Sequence, residues 1–135
     1  MNARRRACSE QTMKGRMRKA AQFLEAAEIL RDAAEDQEVG DALVTLCVQA
    51  GIAAADAICC RALGEHVQGE DHAQAIDLLR RAGSDGPELA SSLSALLGMK
   101  TRASYDAIPV NGEQRTRAHR RAKQLVDAAR QRVGA

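Results

Sequence analysis

Aromatic side chains are almost missing from this 135-residue chain: Phe23 and Tyr105 stand alone, and there is no tryptophan. A sequence so poor in aromatic and β-branched residues suits a β-sandwich badly. The basic stretch after Asn111 holds no aromatic at all, so it offers no platform for stacking single-stranded bases. The four cysteines, Cys8, Cys47, Cys59 and Cys60, include no C-x-x-C pair. Adjacent positions on a helix point about 100° apart, so Cys59 and Cys60 do not jointly form a usual zinc half-site. The four thiols are therefore expected as small buried hydrophobes in a reducing cytosol, with no metal site and no cofactor. No apolar stretch follows Arg4-Arg5-Arg6, and no export signal is expected. The longest weakly polar stretch, Ala42 to Cys60, is interrupted by Asp56 and too rich in alanine to read as membrane-spanning. No phosphate-binding G-x-x-x-x-G-K-S/T loop, no G-x-G-x-x-G and no H-E-x-x-H occurs, and no serine is set beside a histidine as a triad would need.

What is present is alanine, leucine, valine and isoleucine, which make up most of a 45% apolar fraction. Such residues fit closely spaced helices with alanine at the contacts. The net charge of +2 conceals an asymmetry. Residues 1–19 carry seven Lys/Arg against one acid, residues 20–90 four against fourteen, and residues 91–135 nine against three. Basic ends thus flank an acidic middle, and only the ends suit contact with nucleic acid.

Residues 1–11 read as a disordered basic arm before a single domain spanning residues 12–133. A first helix is predicted from about Thr12–Gly15 to Asp36, with Phe23, Ala27 and Leu30 recurring on one face. After the polar link Asp36-Gln-Glu-Val-Gly40, a second helix from Asp41 to Leu63 is apolar nearly all round, so it should be the central one. Gly64 can end it in a left-handed turn, and Glu65 to Glu70 reads as a polar loop. Asp71-x-x-Gln74 caps a third helix that stops before Gly83. Pro87 opens a fourth, running to Tyr105 or Ala107, which Ile108-Pro109 breaks. Asn111-x-x-Gln114 caps a fifth, ending near Val133, with Ala118, Ala122, Leu125, Ala129 and Val133 as its apolar stripe. The predicted fold is an all-α, five-helix, up-and-down bundle with no strand.

Three polar side chains fall on otherwise apolar faces: Asp56, His72 and Lys100. Turning such groups inward costs free energy, so they point to a shared pocket or a polar lock between helices. His72 also sits in the first turn of its helix, where the dipole disfavours a second proton. Asp56 needs a cation, and Lys100 or Arg102 is the expected partner near His72. Arg102 and Tyr105 share a neighbouring face behind Gly98 and Thr101. The last helix carries Arg115, Arg117, Arg120, Arg121, Lys123, Arg130 and Arg132 with His119 among them, a face for solvent or for phosphate.

Taken together, Gly51-Ile-Ala-Ala-Ala-Asp56, Gly69-Glu-Asp-His72, Leu96-Leu-Gly-Met-Lys100-Thr-Arg-Ala-Ser-Tyr105 and Ala122-Lys-Gln-Leu-Val126 resemble, in their order and spacing, the HEPN domain (higher eukaryotes and prokaryotes nucleotide-binding) and particularly small actinobacterial HEPN-like proteins. The resemblance covers about residues 20–130. It implies an all-α bundle that forms a homodimer and acts in a toxin–antitoxin or defence-type system, in the cytoplasm and away from membranes. It also implies either a non-catalytic module binding a nucleotide, RNA or a partner such as a nucleotidyltransferase, or a metal-independent ribonuclease. The nuclease branch uses an R-x4-6-H motif near the later helices. Here Lys100-Thr-Arg-Ala-Ser-Tyr-Asp-Ala-Ile stands there without a histidine, while Arg61-Ala-Leu-Gly-Glu-His66 fits the pattern at the end of the second helix, away from the expected place. The expected function is therefore binding, with a rearranged ribonuclease site or a purely structural interaction bundle as alternatives. The ligand-binding candidates are Asp56, Asp71, His72, Lys100, Arg102 and Tyr105, with His72 the candidate catalytic residue.

Overall fold

Ser9 opens the first helix of the computed structural model, which describes residues 5–33, 39–69 and 71–134. Its hydroxyl accepts the Thr12 N–H at 3.0 Å, satisfying one of the donors that a helix start leaves over. In chain order the elements are β1 (Arg5–Ala7), α1 (Glu10–Ala33), α2 (Gly40–Leu63), β2 (Glu65–Val67), α3 (His72–Arg80), α4 (Gly86–Gly98), α5 (Lys100–Ser104) and α6 (Gly112–Val133). The fold is an all-α bundle with a small two-stranded sheet attached.

The expected hub is the hub: α2 packs chiefly on α1 and α6. Its buried set includes Val44, Cys47, Val48, Ala50, Ala53, Ala54, Ala57 and Ile58, which cover most of its circumference and leave a half-buried side of Thr45, Gln49, Ile52 and Asp56. By length and composition α2 could cross a membrane, yet 72% of its most apolar window is buried inside the bundle. Gly51 lets the neighbours close in, since a methyl group there would stand 2.5 Å from Leu96 Cδ1 and 3.3 Å from Leu125 Cδ1. Gly64 ends the helix at φ 74°, its N–H on the Cys60 carbonyl, as the sequence indicated. Asn111 and Gln114 form the full capping box of α6, at 2.8 and 2.9 Å. At α3 only half of the expected box forms: Asp71 accepts the Gln74 N–H at 3.0 Å, while Gln74 Oε1 is buried with no partner.

Four expectations are corrected. The arm expected to be disordered is ordered from Arg5 onward, although residues 1–4 lie outside the described residues. β1 pairs antiparallel with β2, Arg5 opposite Val67 and Ala7 opposite Glu65, and Cys8 N–H donates to Gly64 O at 3.0 Å. The polar loop at Glu65–Glu70 accordingly contains a strand. Strands of three residues are too short to display a period, and each exists only because a distant segment supplies its hydrogen bonds. The predicted fourth helix is divided at Met99, whose N–H turns back to the Leu96 and Leu97 carbonyls; Gly98, the poorest helix former in that run, stands just before it. On α1 the buried stripe is Met13, Met17, Ala20, Leu24 and Ala27, so Ala27 lies in the core whereas Phe23 is only partly buried. The predicted end of that helix, Asp36, falls outside the described residues.

Polar contacts join the outer helices to one another, and one ties the hub to the link before α6. Glu28 on α1 meets His119 on α6 at 2.7 Å. Asp85, ahead of α4, accepts from Arg132 at the end of α6. Asp41 at the start of α2 accepts the Val110 N–H at 2.9 Å, which anchors the link into α6. Ser92, fully buried, donates to Gln124 Oε1 at 2.6 Å across the α4–α6 contact.

Candidate functional site

Where α1, α2, β2, α3 and α4 meet, they enclose a cavity of about 280 Å³. Its polar wall is Arg16 from α1, Asp56 from α2, His66 from β2, Gln68 from the following loop and His72 from α3; Ile52, Leu93 and Leu97 form an apolar wall. Two of the three inward polar groups expected from the sequence, Asp56 and His72, thus share one cavity. The third touches it indirectly: Lys100 Nζ lies 3.2 Å from His72 Nε2. An ammonium has no lone pair, so in this contact lysine donates and the imidazole accepts.

Asp56 does not pair with Lys100 or Arg102, as expected, but with Arg16, whose Nε donates to Oδ2 at 2.9 Å. Its side chain is only 12% exposed. Burial pushes the Asp56 carboxyl above its ordinary value of 3.8, against the opposite pull of Arg16 and His66. The fold therefore holds the proton of Asp56 more tightly than the unfolded chain does. That contribution is complete below pH 3.8 and is lost as pH rises through the raised value. Urea midpoints of the wild type are expected to fall relative to those of Asp56→Asn as pH is raised above about 4. A wild-type midpoint that climbs against the variant over that range contradicts the assignment.

The remaining candidates lie elsewhere. Asp71 is exposed and employed as the cap of α3. Arg102 sits 3.9 Å from Asp106 on the outside of the bundle, and Tyr105 is 77% exposed. None of the three lines the cavity. The break at Met99 separates the run that carries Arg102 and Tyr105 from the face of α4 that reaches the site.

Three polar residues of the cavity escaped the sequence reading: Arg16, His66 and Gln68, the last in what read as a plain polar loop. Arg16 lies between Met13, Met17 and Ala20 at i, i+3, i+4 and i+7 spacing, so the stripe of α1 marks it as half inward. His66 was set aside as the end of a misplaced R-x4-H match. Arg61 is indeed exposed, but β2 brings His66 to the cavity, its Nδ1 3.9 Å from Asp56 Oδ1.

The cysteines also differ from expectation. Cys8 and Cys60 form a disulfide, and only Cys47 and Cys59 are free. Burial pushes both free thiols up to about 12, so neither is a nucleophile near neutral pH. No protein-family model matches this chain, and comparison with curated proteins finds no match.

Proposed function

We propose that this chain is a HEPN-like helical module that binds a nucleotide, or one nucleotide unit of an RNA, in the cavity between α1, α2, β2, α3 and α4 without turning it over. The observation that carries the reading is the Lys100–His72 contact at 3.2 Å, which sets a second cation behind a cavity lined by His72 and Arg16. Two cations and two imidazoles offer hydrogen-bond donors to a phosphate group. The opposite wall of Ile52, Leu93 and Leu97 suits an apolar body. At about 280 Å³ the space lies at the small end of ligand sites. It fits one such unit rather than a stretch of strand. The biological setting rests on the resemblance alone: a cytoplasmic homodimer in a toxin–antitoxin or defence-type system, with a nucleotidyltransferase as partner.

The test is the melting temperature with adenosine or guanosine monophosphate, and with inorganic phosphate as the reference. Nucleotide is expected to raise it, and the rise should vanish in Lys100→Ala and in His72→Ala. No rise with any nucleotide, or a rise unchanged in both variants, refutes the reading and leaves a structural interaction bundle.

One observation favours a second reading, a metal-independent ribonuclease. His66 and His72 bring two imidazoles to one cavity, the minimum for a base that takes a proton from a ribose hydroxyl and an acid that returns one to the leaving oxygen. Lys100 would then stabilise the charge on the phosphorane. Cleavage of labelled RNA in EDTA, lost in both His66→Ala and His72→Ala, would replace the binding reading with this one.

A further inference from the structure

A second cluster of reactive side chains sits where the amino-terminal arm meets the end of α2. Cys8 Sγ, Cys60 Sγ and a ring nitrogen of His66 all lie within 4.8 Å of one another. The two cysteines are joined as a disulfide, their Cα atoms 5.5 Å apart. His66 Nδ1 is buried and has no hydrogen-bond partner. Burial of an unpaired ring nitrogen costs free energy, and such groups in a folded protein call for an explanation. Beside it stands a carboxylate, with Asp56 Oδ1 at 3.9 Å.

The geometry points to a redox-gated metal site: once the Cys8–Cys60 bond is reduced, Cys8, Cys60 and His66 bind a thiophilic divalent cation, zinc foremost. Two thiolates and an imidazole are a donor set that selects zinc over magnesium or calcium. A Zn–S bond of about 2.3 Å in a tetrahedral site puts the two sulfurs about 3.8 Å apart. The sulfurs have to part only that far, while the imidazole is already within reach.

Reduction does not scatter the donors. Cys8 follows β1 directly, and β1 stays paired with β2, which carries His66. The Cys8 N–H also remains on Gly64 O at 3.0 Å, four residues beyond Cys60. Asp56 lies one helical turn before Cys60, and its negative charge favours a cation there. Three protein donors leave one position for water or for a group entering the cavity that His66 lines.

The chemistry balances in two steps. A dithiol reductant gives two electrons and two protons to the S–S bond, yielding two thiols and its own disulfide. As the ion binds, each thiol releases its proton to solvent and the sulfur's electron pair forms the bond to metal. A disulfide oxidant runs the sequence backwards: the ion leaves as the sulfurs take up two protons, and the two thiols then pass two electrons and two protons to that disulfide as their own bond forms. In a reducing cytoplasm the metal-bound form is the resting one. The site stands whether or not the cavity takes a nucleotide.

The test uses the full chain, reduced with a phosphine, freed of reductant under nitrogen and titrated with cobalt(II), then zinc. One cobalt per chain is expected, with sulfur-to-cobalt charge-transfer absorption that zinc abolishes; the oxidised chain should show none. Cys8→Ser should remove that absorption, and His66→Ala should weaken cobalt binding by more than about tenfold. Helical circular dichroism of oxidised His66→Ala should match the wild type, which separates loss of a ligand from loss of the fold. A reduced chain that takes no cobalt overturns the proposal. Equal uptake by the oxidised chain, or undiminished binding by His66→Ala, overturns it as well.

Discussion

Replacing Cys8 and Cys60 together by serine is expected to cost about 4 kcal/mol of stability in metal-free buffer, which is the chain-entropy value for a loop of this length. The bond spans 52 positions, and its work is done mostly on the unfolded chain, whose freedom it restricts. The folded side changes little, because β1 remains hydrogen-bonded to β2 and Cys8 N–H to Gly64 O. Urea midpoints measure the loss, and phosphine-treated wild type should fall to the level of the double variant. A thiol count makes the premise independent of stability. With Cys47 and Cys59 buried, the native oxidised chain should present no reactive thiol, and the denatured but unreduced chain two. Four thiols in that second measurement would mean that the bond is not there.

Gly86→Ala is the second large effect, an expected loss of about 3 kcal/mol, at the upper end for overpacking. A methyl group at Gly86 would stand 2.3 Å from the Arg80 carbonyl oxygen and 2.9 Å from that of Leu79. Those are backbone atoms at the end of α3, so no side chain can swing aside; α3 and α4 must move apart. That would pull on Leu78, Leu79, Leu89 and Leu93, which are buried around this turn. Gly15→Ala is the control. It lies inside α1 with no atom within 4 Å of the added methyl, and alanine there should stabilise by about 0.5–1 kcal/mol. If Gly86→Ala unfolds at the wild-type urea concentration, the turn is looser than described.

The helical part of this molecule was legible because its determinants are local. The apolar circumference of α2, the left-handed Gly64 and the Asn111–Gln114 box each need only neighbours a few residues away. Errors came where a distant segment decides. Arg5–Ala7 carries no strand pattern of its own; it is a strand because Glu65–Val67 lies beside it. Cys8 is unremarkable in sequence and becomes half of a disulfide only after that pairing. The site divides on the same line. Asp56 and His72 were visible as polar interruptions of apolar faces, whereas their surroundings were not. Arg16 meets Asp56 on α2 and Lys100 meets His72 on α3, and spacing along one helix cannot rank two cations on separate helices as partners. Arg102 and Tyr105 were assigned to the site on the assumption of a continuous fourth helix, and the break at Met99 undoes that assumption.

The interior of α2 has one more implication. Ala50, Ala53, Ala54, Ala55 and Ala57 are all buried, so much of what fills the centre of the bundle is single methyl groups. Trimming such a side chain to glycine costs about 1 kcal/mol, chiefly in backbone entropy, whereas enlarging it forces helix axes apart and costs up to about 3 kcal/mol. The centre of the molecule thus resists growth more strongly than erosion. At these five positions sequence drift should be confined to small residues, and new bulk should arise on the half-buried side of α2 or at its ends.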